Sequence, residues 1–141
     1  MGDERIDVFF YGLFMDEQVL AAQGIAAAVP RRAIADGFGL RIGQRATLIP
    51  DEAARTYGMV YALTRAELDR LYSQPGLEAY QAEPIGVRTF DGSRLTAMCY
   101  NLAIAPGPGE GNANYAARLR DVLTRLEFPP EYVTSIATDA D

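Results

Sequence analysis

Apolar and polar residues alternate along this chain with a period that changes several times, and each change marks an element. The run Val8-Phe9-Phe10-Tyr11, within residues 6–11, enters Gly12 and reads as a buried strand ending in a glycine turn. Asp16 then suits the N-cap of a short helix through Glu17, Val19 and Leu20 that closes near Gly24. From Arg32 to Ile42 the alternation is imperfect and Gly37 and Gly39 interrupt it, which predicts a bent or bulged strand. Ala46-Thr47-Leu48-Ile49 predicts a short strand closed by Pro50-Asp51. Farther on, Tyr57, Met59, Tyr61 and Leu63 share one face of a period-two run, with Gly58, Val60 and Ala62 on the other. The small residues on that second face imply close approach by another segment.

The pattern then turns helical. Thr64-Arg65-Ala66-Glu67 has the form of a capping box and opens a helix carrying Leu68, Leu71 and Tyr72, which Pro75-Gly76 stops. Ile85–Phe90 and Leu95–Leu102 read as two strands around Asp91-Gly92, the strongest hairpin signal in the chain. Residues 105–111, rich in Pro and Gly, read as a loop, either a lid or surface slack. Asn112 suits the N-cap of a helix with Tyr115, Leu119, Val122 and Leu126 on one face. Pro129-Pro130 starts a last short helix with Tyr132, Val133 and Ile136. The order implies an α+β fold with a mainly antiparallel, strongly curved sheet or small barrel.

Composition narrows the chemistry. With 141 residues and 49% hydrophobic content, the chain can bury one sizeable core and is read as a single domain, 1–141. A net charge of −6 argues against a nucleic-acid partner, although Arg31, Arg32, Arg41, Arg45 and Arg55 gather locally as a solvated face or a positive patch. No histidine is present, which removes Ser-His and Cys-His catalysis and histidine metal sites, so acid–base chemistry falls to carboxylates, tyrosines or water. The single cysteine, Cys99, lies in an apolar strand-like run and reads as inert core. No stretch approaches a membrane span, so no membrane partner is expected and a cytoplasmic location is the default.

The segments "VFFYGLFMDEQVL", "GFGLRIGQRATLIPDEAARTYGMVYALTRAELDRL", "YQAEPIGVRTF", "LTAMCYNL" and "NYAARLRDVLTRLEFPPEYVTSI", in this order, resemble the gamma-glutamylcyclotransferase-like family. The resemblance covers nearly the whole chain. It implies a small, curved, mainly antiparallel β-barrel with flanking short helices and a cavity for a gamma-glutamyl group. It also implies that the backbone of the Tyr-Gly turn, here Tyr11, Gly12, Leu13 and Phe14, holds the glutamyl end of a substrate. Tyr115 matches a tyrosine near the start of the family's last long helix and is the tyrosine most expected to touch ligand, ahead of Tyr61, Tyr80 and Tyr100. In active members a glutamate followed by glycine after the capped helix takes a proton from the α-amino group. That amine attacks the γ-carbonyl and closes the ring of 5-oxoproline. Such a cyclisation carries its nucleophile within the substrate, so folding the substrate and removing a proton is the main task, with no metal or organic cofactor needed.

The chain departs from the pattern at two places. Leu68-Asp69-Arg70-Leu71-Tyr72-Ser73-Gln74-Pro75-Gly76 places Tyr72 where the family has aspartate and Pro75 where it has the catalytic glutamate, and Leu13 replaces the usual hydroxyl residue of the turn. Proline is neither acid nor base. The carboxylates that remain as catalytic candidates are Glu78, three residues past Pro75, and Glu83 before Pro84; for each, an exposed loop or edge carboxylate is the plainer reading. Three readings follow: a cyclotransferase-like protein acting on a gamma-glutamyl or related small molecule, a catalytically degenerate binding or regulatory module, and an oligomeric interaction protein whose cavity is filled by Phe14 and Tyr72. The expected partner is a small-molecule ligand, with a homodimer left open.

Overall fold

The computed structural model describes residues 4–43, 45–75, 77, 79–104 and 112–136. Its strands are β1 (Arg5–Phe10), β2 (Ala28–Ile42), β3 (Ala46–Thr64), β4 (Tyr80–Thr89) and β5 (Arg94–Leu102). Its helices are α1 (Glu17–Ala22), α2 (Arg65–Tyr72), α3 (Ala113–Arg125) and α4 (Pro130–Ser135), with a 3-10 turn over Leu13–Met15 after β1. The strands close into a barrel in the order β1-β3-β2-β4-β5. Every neighbouring pair is antiparallel except β1 with β5, a parallel contact at Val8 and Met98 that closes the wall.

The alternation along β1 and β3 is explained by two cores on opposite sides of that wall. Phe9, Val60, Ala33, Ala35, Ile85, Val87, Ala97 and Cys99, contributed by all five strands, fill the bore. Val8, Phe10, Met59, Tyr61 and Leu63 point outward, where Leu20, Leu68, Leu71, Leu119 and Leu123 of the helices cover them. The close approach expected opposite Gly58 is present. A Cβ there would overlap the Phe10 carbonyl oxygen and stand 2.8 Å from Phe9 Cζ.

One expectation needs correction. Residues 46–49 and 57–63 do not form separate strands; β3 runs unbroken over 19 residues, with Ile49 and Pro50 paired to Gly39 and Phe38 of β2. The register shift between Asp36 and Phe38, with Gly37 at φ 84°, absorbs the bend and lets Pro50 lie within a continuous arm. The local signals hold elsewhere. Thr64 Oγ1 accepts from the Glu67 N–H at 3.2 Å while Glu67 Oε1 accepts from the Thr64 N–H at 2.9 Å. Glu67 Oε2 also accepts from the Ala26 N–H at 3.0 Å, so the box ties α2 to the segment entering β2. Asp91 caps the β4–β5 turn through the Ser93 N–H at 3.0 Å, with Gly92 at φ 92°. The loop expected over residues 105–111 lies outside the described residues.

Asp16 links the turn to the helices. Its carboxylate accepts from the Gln18 N–H at 2.9 Å and pairs with Arg125 at 3.0 Å, joining the start of α1 to the end of α3. Burial would raise its pKa, but these two partners outweigh it and hold the carboxyl below its ordinary value. Among the described residues no helix is long and apolar enough to cross a membrane.

Candidate functional site

The turn after β1 faces a cavity of about 240 Å³ at one end of the barrel. Tyr11, Gly12, Leu13 and Phe14 form one side of it. Arg45 and Ala46, at the tip of the β2–β3 hairpin, form another, and Tyr72 at the end of α2 with Leu77 a third. Tyr80 and Tyr100 of β4 and β5 and Tyr115 and Arg118 of α3 complete the aromatic walls. Phe14 and Tyr72 line this space without filling it.

Hydroxyl groups pin the aromatic rings. Tyr11 donates to the Tyr100 carbonyl at 2.7 Å and to the Ala46 carbonyl at 3.4 Å, and Tyr80 donates to the same Ala46 oxygen. Two tyrosines therefore clasp the hairpin tip at Ala46, the first residue of β3 and the end of its pairing with β2. Leu102 N–H to Thr47 Oγ1 at 2.9 Å and Leu48 N–H to Asn101 Oδ1 at 3.2 Å extend the clasp to β5. Tyr72 lies flat on Tyr100, with ring centroids 3.8 Å apart and planes 7° from parallel, and meets Phe14 edge-on at 6.0 Å. Burial pushes the pKa values of Tyr11, Tyr72, Tyr80 and Tyr115 above the ordinary tyrosine value, so these groups are neutral hydrogen-bonding phenols at neutral pH.

The Leu13 N–H donates to the Tyr115 hydroxyl at 3.3 Å. The turn's backbone donor is thereby tied to α3 at the cavity wall, and a carboxylate or developing oxyanion can meet it by taking over the place of that hydroxyl. Gly12 is required by proximity rather than by backbone angle. Its φ of −116° is open to any residue, but a Cβ would overlap the Tyr115 hydroxyl.

The remaining candidates fall elsewhere. Tyr61 is fully buried in the outer core and donates to the Met15 carbonyl at 2.6 Å, outside the cavity wall. Glu83 is exposed and does not line the cavity; its Oε2 accepts from Asn101 Nδ2 at 3.2 Å. Glu78 lies outside the described residues, between Leu77 and Tyr80, which both line the cavity. Pro75 is exposed in the turn after α2, closed by the Leu77 N–H on the Gln74 carbonyl at 3.1 Å. Cys99 is fully buried and its thiol is raised to about 12 by burial, then by the nearby Glu83 carboxylate. Of the expected arginine patch, Arg31 pairs with Asp7 at 2.7 Å, Arg32 lies over the Phe90 ring, and only Arg45 reaches the cavity. Arg118 was not singled out by the sequence; its signal is its spacing, one helical turn after Tyr115.

Residues 8–129 match the family described as gamma-glutamyl cyclotransferase, AIG2-like. The chain belongs to that family. No curated protein sequence matches it significantly. Solved structures share the fold at low identity. An uncharacterized human protein superposes with a TM-score of 0.81 at 20% identity, over 99% of this chain and 90% of its own. A gamma-glutamyl cyclotransferase gives 0.78 at 19%, over 98% and 90%. A yeast gamma-glutamyl cyclotransferase specific to glutathione gives 0.67 at 16%, over 95% and 94%. The barrel and its helices are therefore those of gamma-glutamyl cyclotransferase-like proteins.

Proposed function

We propose that this cyclotransferase-like chain binds gamma-glutamyl compounds in the cavity beside the Tyr11–Phe14 turn, and that the proton acceptor of the family reaction has been lost at position 75. The observation that carries the reading is the pairing of an open cavity, walled by the turn and by the Tyr115 hydroxyl that holds its Leu13 N–H, with a described lining that contains no carboxylate. The glutamyl end meets the turn, and the aromatic walls exclude water around the rest. Without a base, the α-ammonium stays protonated and cannot attack the γ-carbonyl. A second reading, turnover through Glu78, is favoured by its place in the chain between two lining residues.

The test pairs ligand binding with 5-oxoproline release. The parent is expected to be stabilised against heat by gamma-glutamyl dipeptides while releasing little 5-oxoproline. Pro75→Glu restores a carboxylate and relieves a fixed φ, and since a general base contributes about 100- to 10,000-fold, its release of 5-oxoproline should become measurable. Strong turnover by the parent, falling about 100-fold in Glu78→Gln with binding retained, would replace the first reading with the second. A parent that binds no gamma-glutamyl compound would overturn both.

A further inference from the structure

Two cations face the cavity from different elements. Arg45 stands on the hairpin tip beside Tyr80, and Arg118 on α3 beside Tyr115; the positive charge of each acts on its neighbouring phenol against the effect of burial. Of the other eleven arginines, six are held by acceptors, and Arg41, Arg55, Arg65, Arg94 and Arg120 do not line this cavity. Arg5, Arg31, Arg88 and Arg125 pair with carboxylates, and Arg32 and Arg70 donate to backbone carbonyls. Arg45 and Arg118 have no such partner among the described residues, and no acidic side chain joins them in the described lining. A chain with a net charge of −6 thus keeps a locally positive cavity mouth.

Resting on the proposed gamma-glutamyl reading, we propose that Arg45 and Arg118 set its substrate class by holding a second carboxylate, on the amine half of the ligand, so that gamma-glutamyl amino acids are taken in preference to gamma-glutamylamines. Charge complementarity supports the choice. A gamma-glutamyl amino acid carries two carboxylates and one ammonium and is a net anion, whereas a gamma-glutamylamine has one of each and is neutral. Both present the same glutamyl end to the Tyr11–Phe14 turn, so the two classes differ only at the end that meets the arginines. A guanidinium binds a carboxylate through paired, charge-assisted hydrogen bonds, and although Arg45 and Arg118 are both exposed, two of them at one cavity mouth can hold the same carboxylate together.

A matched ligand pair tests this on the intact protein by calorimetry: gamma-glutamylphenylalanine and gamma-glutamylphenethylamine, identical but for one carboxylate. The first is expected to bind about tenfold or more tightly, since one charge-assisted contact is of that order. In the Arg45→Gln, Arg118→Gln double variant the preference should shrink below about threefold, and Arg45→Lys, Arg118→Lys, which keeps the charge without the planar fork, should retain part of it. Equal binding of both ligands by the parent would overturn the arginine assignment while leaving the gamma-glutamyl reading in place, with no variant needed. An unchanged preference in a folded Gln variant would overturn it as well. N-acetylphenylalanine separates the two ideas: binding of that anion with neither gamma-glutamyl ligand bound would keep the arginine site and remove the gamma-glutamyl reading, and binding of none of the three would remove both.

Discussion

The bore of the barrel and the cavity at its end adjoin one another, yet the bore residues of all five strands are buried against one another while the cavity, walled by the turn, α2, α3 and the ends of β3, β4 and β5, stands open. In the bore, small residues make the room that a large one takes: the space a Cβ on Gly58 would need is occupied by the Phe9 ring and the Phe10 carbonyl. Ala33, Ala35 and Ala97 complete this interior. At the cavity the residues are large, but Tyr11 and Tyr80 are held by their hydroxyls on backbone carbonyls, and Tyr72 is held face to face with Tyr100. Side chains fixed by directional bonds cannot collapse inward to fill a void, whereas side chains fixed only by packing do. The first region is built for packing, and the second leaves the space in which the proposed ligand would sit.

The sharpest way to break this comparison is to place the same substitution in both regions. Gly58→Val forces a branched side chain against backbone and a buried ring, neither of which can step aside, and should cost about 3 kcal/mol or more, lowering the melting temperature by on the order of 10 °C. Gly12→Val meets only the far end of the Tyr115 side chain. It should cost less than half as much in thermal unfolding, yet abolish ligand-induced stabilisation because the Leu13–Tyr115 geometry is lost. Equal destabilisation by the two would mean that the cavity is packed core.

Alkaline titration probes the hydroxyl scaffold. The phenols of Tyr11, Tyr61, Tyr72, Tyr80 and Tyr115 have pKa values raised by burial. In the unfolded chain they ionise near pH ~10, while in the folded protein they stay neutral, so the unfolded state loses protons first. Their contribution is present in full below about pH 10 and is lost as pH rises beyond it, by about 1.4 kcal/mol per unit for each phenol that stays protonated. Chemical denaturation at stepped pH should show stability falling from about pH 10 upward, with tyrosinate absorbance appearing together with unfolding. Early, non-cooperative ionisation of all eight tyrosines would show that the phenols are not held in the fold.

The smallest effect expected is that of Tyr80→Phe. It removes one donor from the Ala46 carbonyl, which retains the Tyr11 hydroxyl at 3.4 Å, so stability should fall by only about 1 kcal/mol. Hydrogen exchange at the tip of the β2–β3 hairpin should rise in this variant while that of the bore strands stays unchanged. Faster exchange across the bore would place the clasp within the main folding unit.

Much of the fold is local in origin, and so was legible in the sequence. The Thr64–Glu67 box, the Asp16 and Asn112 caps, the Asp91-Gly92 hairpin and the period-two run ending in Leu63 each depend on neighbours a few residues away, and each forms as its spacing dictates. The Tyr-Gly turn and Tyr115 were legible as candidate site residues because the order of segments resembles a family. What the sequence could not decide was anything set by contact between distant segments. Joining residues 46–49 and 57–63 into one strand depended on pairing with β2, which accommodates Pro50 through a bulge opposite it. The reason Gly12 must be glycine lies about a hundred residues away, in the Tyr115 hydroxyl. Arg45 and Arg118 look like two of thirteen ordinary surface arginines until closure of the barrel and docking of α3 bring both to one cavity. Residue spacing determines caps, turns and which side chains share a face; only three-dimensional closure determines which faces meet, and the site is made at those meetings.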